Sequence, residues 1–191
     1  MTREPQAAAW ALKACAAAAA LALSLPAAAS ATLGASGSPD PAVVGGSVNV
    51  TVSVADIADL FAWQFSLQFD PSILQAGSVA AGSFLSGSGP TLFIPGTIDN
   101  AAGSIGFIIE TMQGFVPGAS GSGALAQIAF DVVGAGTTAL NFGNVVFLDS
   151  LLADIPLTVQ AGAVTAVPEP ASMLLMALGV AGLLAARRRS S

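Results

Sequence analysis

The sequence predicts an all-β sandwich or jelly roll of about nine strands, set between two apolar targeting segments. Three observations predict it. Apolar and polar side chains alternate with a period of two over much of residues 48–159. Glycine- and proline-rich turn signals interrupt that alternation at short intervals. Nothing between residues 32 and 166 sustains a helical period, and no solenoid or propeller repeat is present.

The N-terminal segment, residues 1–31, carries Arg3 and Lys13, then an alanine and leucine run from Ala14 to Leu25, then Pro26 and Ala29-Ser30-Ala31. This is the layout of a secretory signal peptide, with Ala29 and Ala31 as the small residues of the cleavage site and cleavage expected after Ala31. A retained N-terminal anchor fits less well, because the apolar run is short and alanine-rich. Cys15, the only cysteine, precedes most of that run, whereas a lipid-accepting cysteine follows it. The exported chain then lacks cysteine and must be held by its core without disulfides, for which about 135 residues suffice.

The strands follow in order. Val48, Val50, Val52 and Val54 alternate with Asn49, Thr51 and Ser53, and Phe61, Trp63, Phe65, Leu67 and Phe69 alternate with Ala62, Gln64, Ser66, Gln68 and Asp70. Each run places one face in a core and the other in water. Residues 73–79 and 91–98 fit weaker strands. Ile105, Phe107 and Ile109 oppose Gly106, Ile108 and Glu110, so Glu110 is expected to face outward. Ala126, Ile128, Phe130 and Val132 oppose Gln127, Ala129 and Asp131. Leu140 and Phe142 open a strand in which Gly143-Asn144 suggests a bulge before 145–148, and Ile155, Leu157 and Val159 close the set. Turns are expected at Gly45-Gly46, Asp70-Pro71, 87–90, Asp99-Asn100, 117–123 and 134–136.

Charge narrows the function. The formal net charge is −6, yet no lysine, arginine or histidine lies between Lys13 and Arg187, while ten of the eleven acids fall between Asp40 and Glu169. Salt bridges therefore cannot hold the domain, nucleic-acid backbones are repelled, and cations or basic partners are favoured. Catalysis by a nucleophile and base is not expected, since the exported part has no histidine, cysteine, lysine or tyrosine. A glycoside-active carboxylate pair is the remaining enzymatic reading, with Glu110 and Asp131 as its candidates on outward strand positions. No cofactor is expected. Calcium is the one ion to consider, at Asp56 with Asp59 or Asp149 with Asp154, although neither pair matches a known calcium loop. A carbohydrate-binding module needs an exposed aromatic platform. Trp63 has core parity, which leaves Phe93 and Phe115 near loops, and Phe115 serves equally well as a buried loop anchor.

The last 25 residues read differently. Val167-Pro168-Glu169-Pro170 is extended, because a residue before proline leaves the helical region. An apolar run from Ala171 to Ala186 follows, about 24 Å as a helix against a bilayer core of about 30 Å, and Arg187, Arg188 and Arg189 end it. Such arginines favour the cytoplasmic side and place the preceding domain across the membrane. An ordinary single-pass anchor has this form too. Pro168-Glu169-Pro170, a short apolar helix and a terminal arginine cluster together resemble the PEP-CTERM sorting tail of Gram-negative bacteria. The resemblance spans residues 167–191, with the motif at 167–172, the helix at 171–186 and the basic end at 187–189. It implies recognition by an exosortase-type membrane protease, passage through the inner membrane, and delivery to the cell envelope, outer surface or extracellular biofilm matrix.

A second resemblance covers residues 32–166. Val43-Val44-Gly45-Gly46-Ser47-Val48-Asn49-Val50-Thr51-Val52, then Phe65-Ser66-Leu67-Gln68-Phe69-Asp70-Pro71-Ser72-Ile73-Leu74, look like the opening of a cohesin domain. Gly82-Ser83-Phe84-Leu85, the 104–109 strand, 121–130 and 140–149 continue in cohesin-like order. The resemblance implies a nine-stranded jelly roll related to carbohydrate-binding modules, with one sheet face able to bind calcium-loaded dockerins. Where cellulosomal cohesins carry Asn and Asp on the strand ending at Asp70-Pro71, this chain has Ala62 and Gln64. The function expected is therefore a non-catalytic surface or matrix protein whose partner is an extracellular protein or polysaccharide, with a carbohydrate-binding module on exopolysaccharide as the alternative.

Overall fold

The computed structural model describes residues 30–169. Ala29 of the expected cleavage site, Pro170, the apolar run and Arg187 to Arg189 lie outside the described residues. Within them the chain is all β, with eleven strands: β1 (Ala31–Ser38), β2 (Ala42–Val43), β3 (Ser47–Gln68), β4 (Leu74–Ala81), β5 (Thr91–Ile94), β6 (Thr97–Asp99), β7 (Ser104–Met112), β8 (Ala119–Val132), β9 (Gly136–Asp149), β10 (Leu157–Val159) and β11 (Gly162–Val167).

The two valine- and phenylalanine-rich runs form one 22-residue strand, β3, that serves both layers. Its first half pairs with β1 and β8, and its second half with β7 and β9. One layer therefore runs β10-β1-β3-β8-β4, and the other runs from β5 and β6 through β7 and β3 to β9. The opening of β9 also pairs with β11, which lies parallel to β2. Both ends of β3 return to the same end of the sandwich, because the Val132 N–H donates to Gly46 O and the Val133 N–H to Ile73 O.

The bend between the halves lies at Asp56 and Asp59, whose φ angles are 55° and 56°. Aspartate tolerates this left-handed conformation better than the valines and phenylalanines around it. Ser122 Oγ accepts the Asp56 N–H at 3.0 Å and Ser120 Oγ accepts the Asp59 N–H at 2.9 Å, replacing ladder bonds lost where the register shifts. These aspartates thus stand inside a strand corner, where a loop was expected.

Side chains from both layers meet in a single core. Val48, Val50, Val52 and Val54 face Trp63, Phe65 and Leu67 together with Ala126, Ile128, Phe130 and Val132. Trp63 stacks on Phe65 at 5.1 Å, and Phe69 meets Phe130 edge-on at 5.0 Å across the layers. The expected inward parities of these runs hold.

Strand β7 departs from its expected parity. Between Phe65 and Leu67 of β3 the register shifts, Phe65 facing Ile108 and Leu67 facing Ile105, so β7 carries an extra residue there. Phe107 takes a φ of 52° and turns outward, and Ile108, Glu110 and Met112 turn inward. Glu110 is therefore buried, not outward as alternation implied. The bulge expected at Gly143-Asn144 is present, with Asn144 at φ 49° and a matching register shift.

Strands β1, β2 and β11 were not expected. β1 and β11 are made largely of Ala, Gly, Ser and Thr, whose weak hydrophobic contrast hides the alternation. Ala31 is buried and pairs with Leu157, and Val167 pairs with Val43. The paired sandwich therefore runs directly into the segment expected to be the sorting motif, of whose described residues Pro168 and Glu169 are exposed.

Candidate functional site

The two outer faces differ in chemistry. On the β1-β3-β8-β4 layer the outward positions include Asn49, Thr51, Ser53, Gln75, Gln127 and Asp131, which are polar. On the other layer, cross-strand pairing sets up ordered rows. Leu92, Thr111, Ala62 and Leu148 form one row; Ile94, Ile109, Gln64 and Val146 form the next. Phe107, Ser66 and Asn144 complete the face, and none of these side chains is charged. Leu92, Ile94, Phe107 and Val146 are exposed by 49%, 45%, 56% and 39%, so four large apolar side chains stand in water on one uncharged face, the kind of exposure that marks interaction sites.

Ser66 organises the centre of this face. Its Oγ accepts the Phe107 N–H at 3.2 Å from one side and Asn144 Nδ2 at 3.3 Å from the other, so one hydroxyl pins the bulges of both neighbouring strands. Gln64 Nε2 donates to Asn144 O at 3.4 Å. A bulky residue at positive φ stores backbone strain, and here that strain displays an aromatic ring. Sequence reasoning missed Phe107 because the bulge reverses the parity. The signal was Gly106 within an otherwise continuous Ile105 to Ile109 strand.

Glu110 lies directly beneath the face, paired across strands with Trp63 and Phe93. Both carboxyl oxygens and Trp63 Nε1 lack a hydrogen-bond partner. Burial raises the Glu110 pKa, and the nearby Thr91 hydroxyl and Trp63 indole only partly oppose it. Three surface hollows of about 400, 390 and 440 Å³ are lined by other residues, so no substrate path reaches this carboxyl there. Asp131 stands on the outer surface of the opposite layer. The two candidate catalytic acids are thus separated by the core and cannot flank one glycosidic bond.

Of the candidate calcium residues, Asp59 and Asp149 serve the backbone. Asp59 Oδ1 accepts the Gly118 N–H at 2.8 Å, and Oδ2 accepts Ser150 Oγ at 2.6 Å and its N–H at 3.3 Å. The Ser150 hydroxyl, then the Gly118 amide, hold the Asp59 carboxyl below the usual range. Asp149 Oδ1 accepts the N–H groups of Leu151 and Ala153, closing its own turn. Among the described residues no three acidic side chains gather closely enough to hold a metal ion. Because the folded pKa of Asp59 is lowered, its clasp is intact above the unfolded value of about 4 and is lost as pH falls through the folded one. Asp59→Ala is expected to speed amide exchange at both Gly118 and Ser150 at neutral pH while sparing the β3–β8 ladder; equal rates in variant and parent would contradict this role.

The aromatic candidates are separated. Trp63 is buried and Phe93 is half-buried against the core, whereas Phe115 is fully exposed and so does not anchor its loop. Phe107 stands in the middle of β7 and Phe115 in the loop beyond its end, with about 17 Å of strand from Phe107 to Met112 between them, and they form no continuous stacking strip. Among the described residues no helix is long and apolar enough to cross a membrane.

Comparison with known proteins agrees with this geometry. The cohesin domain family matches residues 37–166, and the PEP-CTERM protein-sorting motif matches residues 166–189. No curated protein matches. Among solved structures, a non-cellulosomal cohesin from the hyperthermophilic archaeon Archaeoglobus fulgidus is similar at a TM-score of 0.58 and 18% identity, covering 76% of this chain and 96% of that one. The second type II cohesin module of the ScaA scaffoldin of Acetivibrio cellulolyticus gives 0.61 and 16%, covering 73% and 92%. The sixth cohesin of scaffoldin B from the same organism, solved with a Cel5 dockerin, gives 0.56 and 20%, covering 72% and 99%. Those chains consist almost entirely of the matched sandwich, and here the described residues hold a complete core between Ala31 and Ala166. The chain belongs to the cohesin domain family and carries a PEP-CTERM sorting motif at its C-terminal end.

Proposed function

We propose that this chain is a non-catalytic binding module that an exosortase-type protease sorts to the cell surface or extracellular matrix, and that it docks a protein partner through the outer face of β5-β7-β3-β9. The observation that carries the reading is the uncharged apolar face, with Phe107 held outward by the paired bulges at Ser66. A cohesin relative was solved with a dockerin. Ala62 and Gln64, where cellulosomal cohesins carry Asn and Asp, leave no acid on this strand face and favour a partner met by apolar contact over a cellulosomal dockerin. A flat hydrophobic strand face suits protein better than polysaccharide, which needs aligned rings.

Two measurements test this. Intact mass of the surface-recovered protein, with and without the sorting protease, is expected to end near Pro168 to Pro170 only when the protease is present; a chain running to Ser191 in both cases makes the tail a plain anchor. The double variant Ile94→Asp, Phe107→Asp places two charges on the face. It is expected to keep its unfolding free energy within about 0.5 kcal/mol, as exposed substitutions do, while the fixed surface complex falls at least about tenfold. Undiminished complex in a folded variant would remove the face from the proposal.

A further inference from the structure

A second apolar surface lies at the other end of the sandwich from the sorting tail. The tail leaves beside Val44, whose N–H donates to Val167 O, and the Gly45–Val132 contact marks that end. The Asp56 and Asp59 corner is one strand-length away, about 30 Å along the first half of β3. There the loop 113–118 presents Phe115 fully to solvent, and the turn after β9 presents Leu151 at 85% and Leu152 at 65% exposure. Phe115, Leu152, Phe61, Val116 and Pro117 line a shared hollow of about 400 Å³. Asp59 fastens both loops, one through Gly118 and one through Ser150, so the three exposed side chains are held in fixed relation.

Charge identifies the occupant. Asp59 and Asp149 are bonded into the two loops that carry these side chains, Asp56 stands at the same corner, and no lysine, arginine or histidine lies anywhere from Ala14 to Ala186 to offset them. A second copy would bring the same acids face to face, and an anionic lipid surface would be repelled. We propose that this end is a second docking surface, which takes a protein segment presenting apolar side chains flanked by lysine or arginine. It is distinct from the β5-β7-β3-β9 face, and Val167, where the described chain turns toward the tail, stands at the opposite end.

The test uses the isolated sandwich, residues 30–169, followed by amide NMR with three probes. These are a helical peptide of leucine and lysine with its leucines on one face, its leucine–glutamate counterpart, and phosphatidylcholine vesicles. The lysine peptide is expected to give saturable shifts centred on Phe115, Leu151 and Leu152, with affinity falling at least about tenfold between about 0.05 M and about 0.5 M salt. The other two probes are expected to give none. Phe115→Ser with Leu151→Ser, both exposed, is expected to leave the unfolding midpoint unchanged and to weaken the lysine peptide at least about tenfold. Shifts absent or confined to the β5-β7-β3-β9 face overturn the proposal, as does equal binding of the glutamate peptide. Vesicle association that the double variant loses assigns the end to a lipid surface and overturns it equally.

Discussion

Trp63→Ala is expected to cost the sandwich about 3–5 kcal/mol, the range for deleting a large aromatic from a packed core. Trp63 is 1% exposed, stacks on Phe65 at 5.1 Å and meets Phe93 at 6.3 Å. It also sits at the centre of a row running Phe93, Glu110, Trp63, Phe147 through four strands. The layer that carries the apolar outer face is therefore held from beneath by this ring. Denaturant unfolding of the isolated sandwich measures the loss. The carbohydrate-binding alternative predicts the opposite pattern if Trp63 is its platform: stability kept, and sugar retention abolished.

Glu110→Leu is expected to gain stability at neutral pH, by about 1–3 kcal/mol, the cost of leaving a buried polar group unpaired. Its carboxyl oxygens have no partner, and leucine fills a similar volume without them. The pH dependence fixes the sign. Burial raises the folded pKa of Glu110 above its unfolded value of about 4.3, so the folded state binds more protons between the two. Its contribution is complete below the unfolded value and is lost as pH rises through the folded one. Asp59 and Asp70 have lowered folded pKa values, so theirs is lost as pH falls. The advantage of the leucine variant should accordingly be smallest near pH 4, where only the unpaired neutral carboxyl is relieved, and grow toward neutrality. An advantage independent of pH would mean that Glu110 titrates alike in the folded and unfolded chains, against the burial that raises its folded pKa. Because Glu110 and Trp63 are cross-strand neighbours, their substitutions should not add.

Legibility in the sequence followed hydrophobic contrast. The valines of 48–54 and the aromatics of 61–69 announced both period and face, because bulky apolar residues alternate there with small polar ones. β1 and β11 carry too little contrast to register, and they are held mainly by pairing with β3 and β9. The corner at Asp56 and Asp59 looked like a loop between two strands, since nothing local shows that Ser120 and Ser122, more than sixty positions away, complete the ladder. One bulge at Phe107 accounts for the most consequential differences. It turned Glu110 from a surface acid into a buried one, and it made Phe107 part of an outward apolar face that alternation had placed in the core. The tail motif was legible in full from Pro168, Glu169, Pro170 and the terminal arginines, because its parts are contiguous. The proposed docking face was not, because its rows are assembled from four strands between Ala62 and Leu148.

The most direct test of the docking account places a photoreactive residue at Ile94 or Phe107 in the full chain, and at Gln127 on the opposite layer as the reference, with irradiation of intact cells. A discrete adduct of one mass from positions 94 and 107, and none from 127, is the predicted result. Adducts of equal yield from all three positions, or none from 94 and 107 while the protein is present at the surface, would contradict it.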